Sequence, residues 1–166
     1  MSDLGLLRYY LGIEVWQGAD GIGIAQTAYA NKILKQACMV GCNPCHSPME
    51  SRLKLSKKST ATVTDVTAYR SLVGSLRYLV HTRPDLAYSV GYVSHFMEAP
   101  TVEHLAAVKH ILRYIAGTRT LGCFFPRETR GDEQLVGFSD NDMAGDVDDR
   151  KSTTRVLFFL DRSPIS

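Results

Sequence analysis

Two prolines constrain this chain more than any other residues do. Between Tyr69 and Thr118 apolar residues recur every three or four positions, the period of an amphipathic helix, and Pro84 and Pro100 cut the stretch into three. The first helix must stop near Arg83, because proline disfavours helical backbone in the residue before it, and Asp65 or Thr67 can supply its N-cap. Pro84 suits the first turn of the second helix, where its missing N–H costs nothing. Pro100 and Thr101 repeat the device, with Thr101 as N-cap and Glu103 in a first turn where negative charge suits the helix dipole. Gly117 is placed as the C′ glycine that ends the third.

The faces of these helices follow from spacing. Tyr69, Leu72, Val73, Leu76 and Val80 form one apolar stripe, and Leu105, Val108, Leu112 and Ile115 another. Arg70 and Arg77 lie two turns apart on the polar side of the first helix, and Lys109 and Arg113 flank the third. With Arg83 and Arg119 they form either a solvated surface or a rail for phosphates, and Tyr78, Tyr88, Tyr92 and Tyr114 among them either stack on bases or enter the core. Periodicity does not separate these readings.

A length of 166 residues, 45% apolar and 22% charged, allows one domain or parts of two and is enough to bury a core. No apolar run reaches the ~18 residues of a membrane span, and no basic-then-apolar leader follows Met1, so the expectation is a cytoplasmic or nuclear protein, not a secreted or membrane one. The net charge of +2 is unevenly placed: fifteen Lys/Arg against nine Asp/Glu in residues 1–130, then four against eight in 131–166. A basic body with an acidic end suits a protein that holds a polyanion and gathers carboxylates at one point.

The run Tyr69-Arg70-Ser71-Leu72-Val73-Gly74-Ser75-Leu76, then Thr82-Arg83-Pro84-Asp85, Glu103-His104, Ile111-Leu112-Arg113-Tyr114 and Gly117-Thr118 resembles the copia-type LTR retrotransposon Pol polyprotein, where such a segment joins reverse transcriptase to RNase H. Residues 4–26 read as a hairpin: Leu11, Ile13 and Val15 alternate with polar or small residues, Gly18 to Gly23 turn the chain, and Ile22 and Ile24 begin the return. Asp3-Leu4-Gly5 with Tyr10 to Val15 resembles the family's primer-gripping hairpin, and Gln26 to Met39 its first thumb helix, with Tyr29, Ile33 and Ala37 inward and Lys32 and Lys35 outside. The family's catalytic Tyr-Val-Asp-Asp lies before this point, which implies that the chain cannot polymerise DNA unaided. Residues 41–64 form a polar loop whose Lys54, Lys57 and Lys58, with Arg52, are the densest basic cluster; it is a solvated linker or a backbone contact, and 56–64 reads as unstructured.

Cys38, Cys42, Cys45 and His46 cluster in this region, and Cys42-Asn43-Pro44-Cys45-His46 matches the haem-attachment spacing. Zinc is the other metal reading. Haem attachment conflicts with a reducing compartment, and four ligands on one short proline-stiffened segment suit zinc poorly, so free thiols are expected, with Cys123 in the core.

At the acidic end, Leu135 to Phe138 reads as a strand delivering Asp140, and Thr153 to Leu160 as a strand pairing back. Gly137-Phe138-Ser139-Asp140 onward resembles the first strand of the family's RNase H, and Asp140 matches its first catalytic carboxylate. Two Mg²⁺ ions in such a site sit roughly 3.5–4 Å apart and need several carboxylates. The resemblance places the other ligands downstream of Ser166, leaving Asp140 an orphaned catalytic position and weak Mg²⁺ candidate. Asp142, Asp146, Asp148 and Asp149 read as a solvated turn. Met143 stands where the family has Trp, and Arg155 and Asp161 where it has Gly.

The expectation is therefore an α+β chain: residues 1–64 as the end of reverse transcriptase, 65–120 as a helical connection, and 121–166 as an incomplete RNase H-like hairpin. The implied function is weak, sequence-independent binding of DNA, RNA or RNA–DNA hybrid through Arg70, Arg77, Arg83, Lys109, Arg113, Lys54, Lys57 and Lys58. No turnover and no cofactor are expected, although the parent family uses Mg²⁺. Secreted RxLR effectors of plant pathogens also resemble the connection segment, which makes a recruited protein-interaction module the alternative, alongside a decayed reading frame.

Overall fold

The computed structural model describes residues 5–127, 134–142 and 153–165, with backbone alone at 140–142 and 153–155. The architecture is α+β as expected: the described residues form four α-helices and two antiparallel sheets. The first sheet begins with strands β1 (Tyr9–Tyr10), β2 (Ile13–Gln17) and β3 (Gly21–Ala25), paired in sequence order. Leu11, read as part of the alternating strand, instead sits in the β1–β2 turn with φ 48°, and the tight turn between β2 and β3 is closed by Gly18 N–H donating to Gly21 C=O at 2.9 Å. Its fourth strand is β4 (Gly122–Pro126), which pairs with β3 from Gly21↔Pro126 to Ala25↔Gly122. This strand, grouped from sequence with the C-terminal hairpin, belongs to the N-terminal sheet: the helices carry the chain out and return it beside its starting point.

Helix α1 spans Thr27–Gln36, α2 Val66–Leu79, α3 Ala87–Ser94 and α4 Val102–Gly117. The Asp65 carboxylate caps α2, accepting from Thr67 and Ala68 N–H at 2.9 and 3.0 Å. As the proline rule requires, α2 tightens into a 3₁₀ turn over Val80–Thr82, and Pro84 opens a second 3₁₀ turn, Pro84–Leu86, before α3 begins. Thr101 caps α4, with the His104 ring closing the reciprocal half: Thr101 N–H donates to His104 Nδ1 at 3.0 Å.

The core is helical. Tyr69, Val73, Leu76 and Leu79 of α2 meet Val90 and Val93 of α3 and Val108, Ile111, Leu112 and Ile115 of α4, all buried, with Ile33 and Leu34 of α1. Each such aliphatic side chain contributes about 1.5–3 kcal/mol by leaving water. The fully buried Tyr69 hydroxyl donates to Val93 C=O at 2.7 Å, and burial pushes its phenol well above the ordinary range.

Two expectations fail here for tertiary reasons. Gly117 is the last residue of α4, not a left-handed cap; Thr118 follows it with φ −129°. Its lack of a side chain serves contact instead, because a Cβ there would lie 2.9 Å from Pro44 Cβ. Residues 56–64 are not unstructured either. Val63 bridges Thr101, Thr64 N–H donates to Pro100 C=O and Val102 N–H to Thr62 C=O, both at 3.0 Å, and Ser59 Oγ donates to Glu103 at 2.7 Å. A little upstream, buried Leu55 anchors the same segment and its N–H donates to the Tyr92 hydroxyl at 3.0 Å. Local composition favoured disorder; these contacts to the start of α4 override it.

The second sheet holds β5 (Leu135–Asp142), β6 (Thr153–Leu160) and β7 (Ser163–Pro164) in that order, with β7 beside β4. β5 runs four residues beyond Phe138, so Asp142 is a strand residue and not part of a turn. Asp161, one of the positions where the resemblance implies glycine, has φ 53° in the β6–β7 turn. Its carboxylate accepts from Gln134 N–H at 2.7 Å, fastening the turn.

Candidate nucleic-acid interface

The cations read from sequence fall into three groups. Lys54, Lys57 and Lys58 on the long loop, Arg77 on α2 and Lys109 on α4 are exposed. Arg70 is exposed on α2 with its Nε donating to Met97 C=O at 2.8 Å, and half-buried Arg113 donates likewise to Asn43 C=O at 2.8 Å. These two arginines tether neighbouring segments as well as facing outward.

Arg83 departs from the expectation altogether. It is 2% exposed. Its Nε and Nη2 donate to the two Asp85 oxygens at 2.9 and 2.7 Å, Nη1 to Thr118 C=O at 2.8 Å and Nη2 to Thr118 Oγ1 at 2.9 Å, and the guanidinium lies 5.6 Å from the Tyr114 ring centre. The cation thus closes the C-terminus of α4, where the helix dipole favours positive charge. Beside it, buried Thr82 donates to Gln26 Oε1 at 3.0 Å and the Cys123 thiol donates to Thr82 C=O at 3.5 Å. Thr82-Arg83-Pro84-Asp85 is therefore the junction of α1, α3, α4 and β4, not a phosphate contact. Burial and the Asp85 charge push the Cys123 thiol up.

Of the four tyrosines interleaved with the cations, Tyr88 is exposed and Tyr78, Tyr92 and Tyr114 are half-buried. Tyr78 packs edge-on against Tyr29 and its hydroxyl donates to Leu11 C=O, tying α2 to the first hairpin.

The cysteine-bearing loop is docked along α4. Cys45 Sγ donates to His110 C=O at 3.4 Å, the His110 ring meets Ser47 C=O at 3.1 Å and Glu50 at 3.6 Å, and Pro44 rests on Gly117. All four cysteines are unpaired thiols, and among the described residues no three His, Cys, Asp or Glu side chains come together as metal ligands.

This docking creates a groove that sequence spacing does not reveal. Asn31, Leu34 and Lys35 of α1, Val40, Gly41, Cys42 and Pro44 of the loop, and Ala116 and Arg119 at the end of α4 enclose about 710 Å³. Lys35 and Arg119 are its charges, and no Asp or Glu is among the described residues that line it. Arg119 Nη1 donates to Asn31 Oδ1 at 3.3 Å across 88 positions of sequence. The polar flank of α1 marked Lys35 as outward-facing, but only the tertiary contact brings Arg119 to it.

Asp140 lies in β5 opposite Arg155 of β6. Met143, Asp146, Asp148 and Asp149 lie outside the described residues. Among the described residues no helix is long and apolar enough to cross a membrane.

The family profile Reverse transcriptase (RNA-dependent DNA polymerase) matches residues 1–51. The chain is 43% identical over 160 residues to the Retrovirus-related Pol polyprotein from transposon RE1 of Arabidopsis thaliana, covering 96% of this chain and 11% of that protein. It is 39% identical over 166 residues to an uncharacterized mitochondrial protein of the same plant, covering 100% of this chain and 68% of the relative. Secreted RxLR effector protein 161 of Plasmopara viticola is 48% identical over 99 residues, 59% of this chain and 68% of the effector. No solved structure matches. On the strength of the two relatives that cover 96% and 100% of its length, the chain belongs to the Pol polyprotein family of copia-type retrotransposons, and residues 1–51 carry part of the reverse transcriptase region.

Proposed function

We propose that this chain binds the sugar–phosphate backbone of DNA, RNA or an RNA–DNA hybrid without reading sequence, and that it performs no nucleotidyl transfer or hydrolysis by itself. The observation that carries the reading is the groove between α1 and α4, whose described lining holds Lys35 and Arg119 and no Asp or Glu. Lys54, Lys57, Lys58, Arg77 and Lys109 are exposed as well and offer further positive charge to solvent. Membership of a polymerase family supports nucleic acid as the polyanion. Inactivity rests on chemistry: hydrolysis at two Mg²⁺ ions needs several converging carboxylates, and among the described residues no three His, Cys, Asp or Glu side chains come together. On this reading Asp140 holds Mg²⁺ weakly at most.

Fluorescence polarisation with a labelled 20-mer tests binding. Affinity falls steeply with salt, with a logarithmic slope of about −0.7 to −0.9 per phosphate neutralised; a response flat between low and high salt refutes the reading. Incubating an RNA–DNA hybrid with Mg²⁺ tests inactivity, and cleavage that Asp140→Asn abolishes would overturn it.

The similarity to an effector protein supports a second reading, a protein-contact module. A specific partner retained after nuclease digestion, together with no binding in the polarisation assay, would favour it.

A further inference from the structure

Of the five histidines in the chain, His104 alone is buried, at 0% exposure. Its ring lies flat against Phe96, with ring centres 4.1 Å apart and planes 13° from parallel. Nδ1 accepts the Thr101 N–H at 3.0 Å and lies 3.2 Å from Thr101 Oγ1, while that hydroxyl oxygen accepts the His104 backbone N–H. A ring nitrogen that accepts carries no hydrogen, so the closed clasp holds a neutral imidazole with its proton on Nε2. Residues 59–64 are strapped to the same point. Val63 bridges Thr101, Thr64 N–H donates to Pro100 C=O, Val102 N–H to Thr62 C=O, and Ser59 Oγ to Glu103.

From this geometry we infer that His104 is an acid-sensitive latch: a proton on Nδ1 breaks the Thr101 contact and releases the 59–64 strap from the start of α4. Three effects oppose that proton while the clasp is closed. It would set one N–H donor against another at 3.0 Å. It would add positive charge in the first turn of a helix, where the dipole is already positive. It would also bury the charge against Phe96. The other ionisable groups on the surrounding elements are engaged elsewhere or open to water. Glu103 of α4 accepts from Ser59, Asp65 caps α2, Arg70 of α2 donates to Met97 C=O and Tyr69 to Val93 C=O, and the Tyr92 hydroxyl of α3 accepts Leu55 N–H. His95 and Glu98 after α3, and Lys57 and Lys58 before the strap, are exposed. Once the clasp opens, the imidazole meets water and takes a proton at its ordinary value of about 6.5. Acid therefore favours the open form, by up to about tenfold per pH unit below that value. Because the strap continues directly from Lys57 and Lys58, its release also loosens the attachment of that basic cluster to α4.

Amide exchange of the full chain, read by NMR between about pH 7.5 and 5 and corrected for the intrinsic pH dependence of exchange, tests the latch; this window stays above the usual carboxylate range. Protection at Thr101, Val102 and Thr64 should fall by up to roughly thirtyfold across the acid half of the window, while Val73 and Leu76 of α2 and Ile111 and Leu112 of α4 keep theirs. The ring resonances of His104 should report the Nε2–H tautomer at the neutral end and take up a proton as those three amides lose protection. His104→Gln supplies a side chain that can close a capping box without titrating, so its protection should not depend on pH. Should that variant fail to fold by circular dichroism, the ring and amide titrations of the unaltered chain decide alone. Protection that holds through the window, a ring that protonates while Thr101 stays protected, an acid response retained in a folded His104→Gln, or equal loss across all four helices would each overturn the latch.

Discussion

Arg83 and Asp85 face each other across Pro84 as a two-pronged ion pair, Nε to Oδ1 at 2.9 Å and Nη2 to Oδ2 at 2.7 Å, with the arginine buried and the aspartate partly open to water. The guanidinium also holds Thr118, so a single side chain links the α2–α3 corner to the end of α4. A lysine there cannot form the fork. Arg83→Lys should cost about 2 kcal/mol in urea unfolding, and Arg83→Ala about 3 kcal/mol. Asp85→Ala, which leaves a buried cation without its carboxylate, should cost as much. Loss of nucleic-acid affinity in a variant of unchanged stability would instead mean that Arg83 meets phosphate.

Glycine substitution separates two helices. Gly74 in α2 has open space around its Cβ position, and Ala there should stabilise by about 0.5–1 kcal/mol through helix propensity. In α4, Gly117→Ala meets Pro44 at 2.9 Å, so the same propensity gain should be cancelled or reversed as the loop is pushed away. Thermal midpoints of the two variants, moving in different directions, provide the check.

Glu14 accepts the Ala28 N–H at 2.8 Å and so supplies α1 with the acidic cap that its own first turn lacks. Glu14→Ala should cost about 1 kcal/mol and should raise amide exchange first in the opening turn of α1. Uniform exchange across the chain would refute the local role.

The two classes of cation should separate in binding. Lys35→Gln with Arg119→Gln should weaken polarisation-detected binding and flatten its salt dependence by about two phosphate contacts at most. Replacing Lys54, Lys57 and Lys58 together should flatten it further if the loop follows the same backbone. An unchanged slope in both variants would remove these residues from the interface.

Cys123 and Tyr69 predict a pH response. Burial raises both groups in the folded chain, so the unfolded chain releases its protons first as pH rises. Above about pH 8.5, where an ordinary thiol ionises, folded protein holds more protons than unfolded and stability declines toward higher pH. In iodoacetamide labelling at that pH, exposed Cys38 should react before half-buried Cys123. Mass spectrometry of the labelled sites reads the order directly.

What was legible in the sequence was local. The α2 and α4 stripes, the Asp65 cap and the breaks at the two prolines depend on neighbours within a turn or two, and each appears where spacing and backbone chemistry put it. Arg83 was not legible, because its position on the polar side of a helical pattern carries no sign of Thr118, 35 residues on. Gly117 departs from its local signal for a similar reason: a glycine at a helix end suggests a left-handed cap, whereas here it makes room for Pro44. The loop at 56–64 has the composition of a flexible linker, but edge pairing at Val63–Thr101 and the Leu55 anchor nearby give it a fixed course. Lys35 and Arg119 meet only because α1 and the end of α4 pack on the same loop. Distance along the chain, not weak local signal, separates the two kinds of result.

The pairing of β3 with β4 sets the order in which a ribosome could deliver a finished sheet. Ile24 must wait for Cys123, about a hundred residues later, before its outer hydrogen-bonding edge is covered. Until then the nascent hairpin offers that edge to any neighbouring strand, and the helices between must assemble first to bring the two segments within reach.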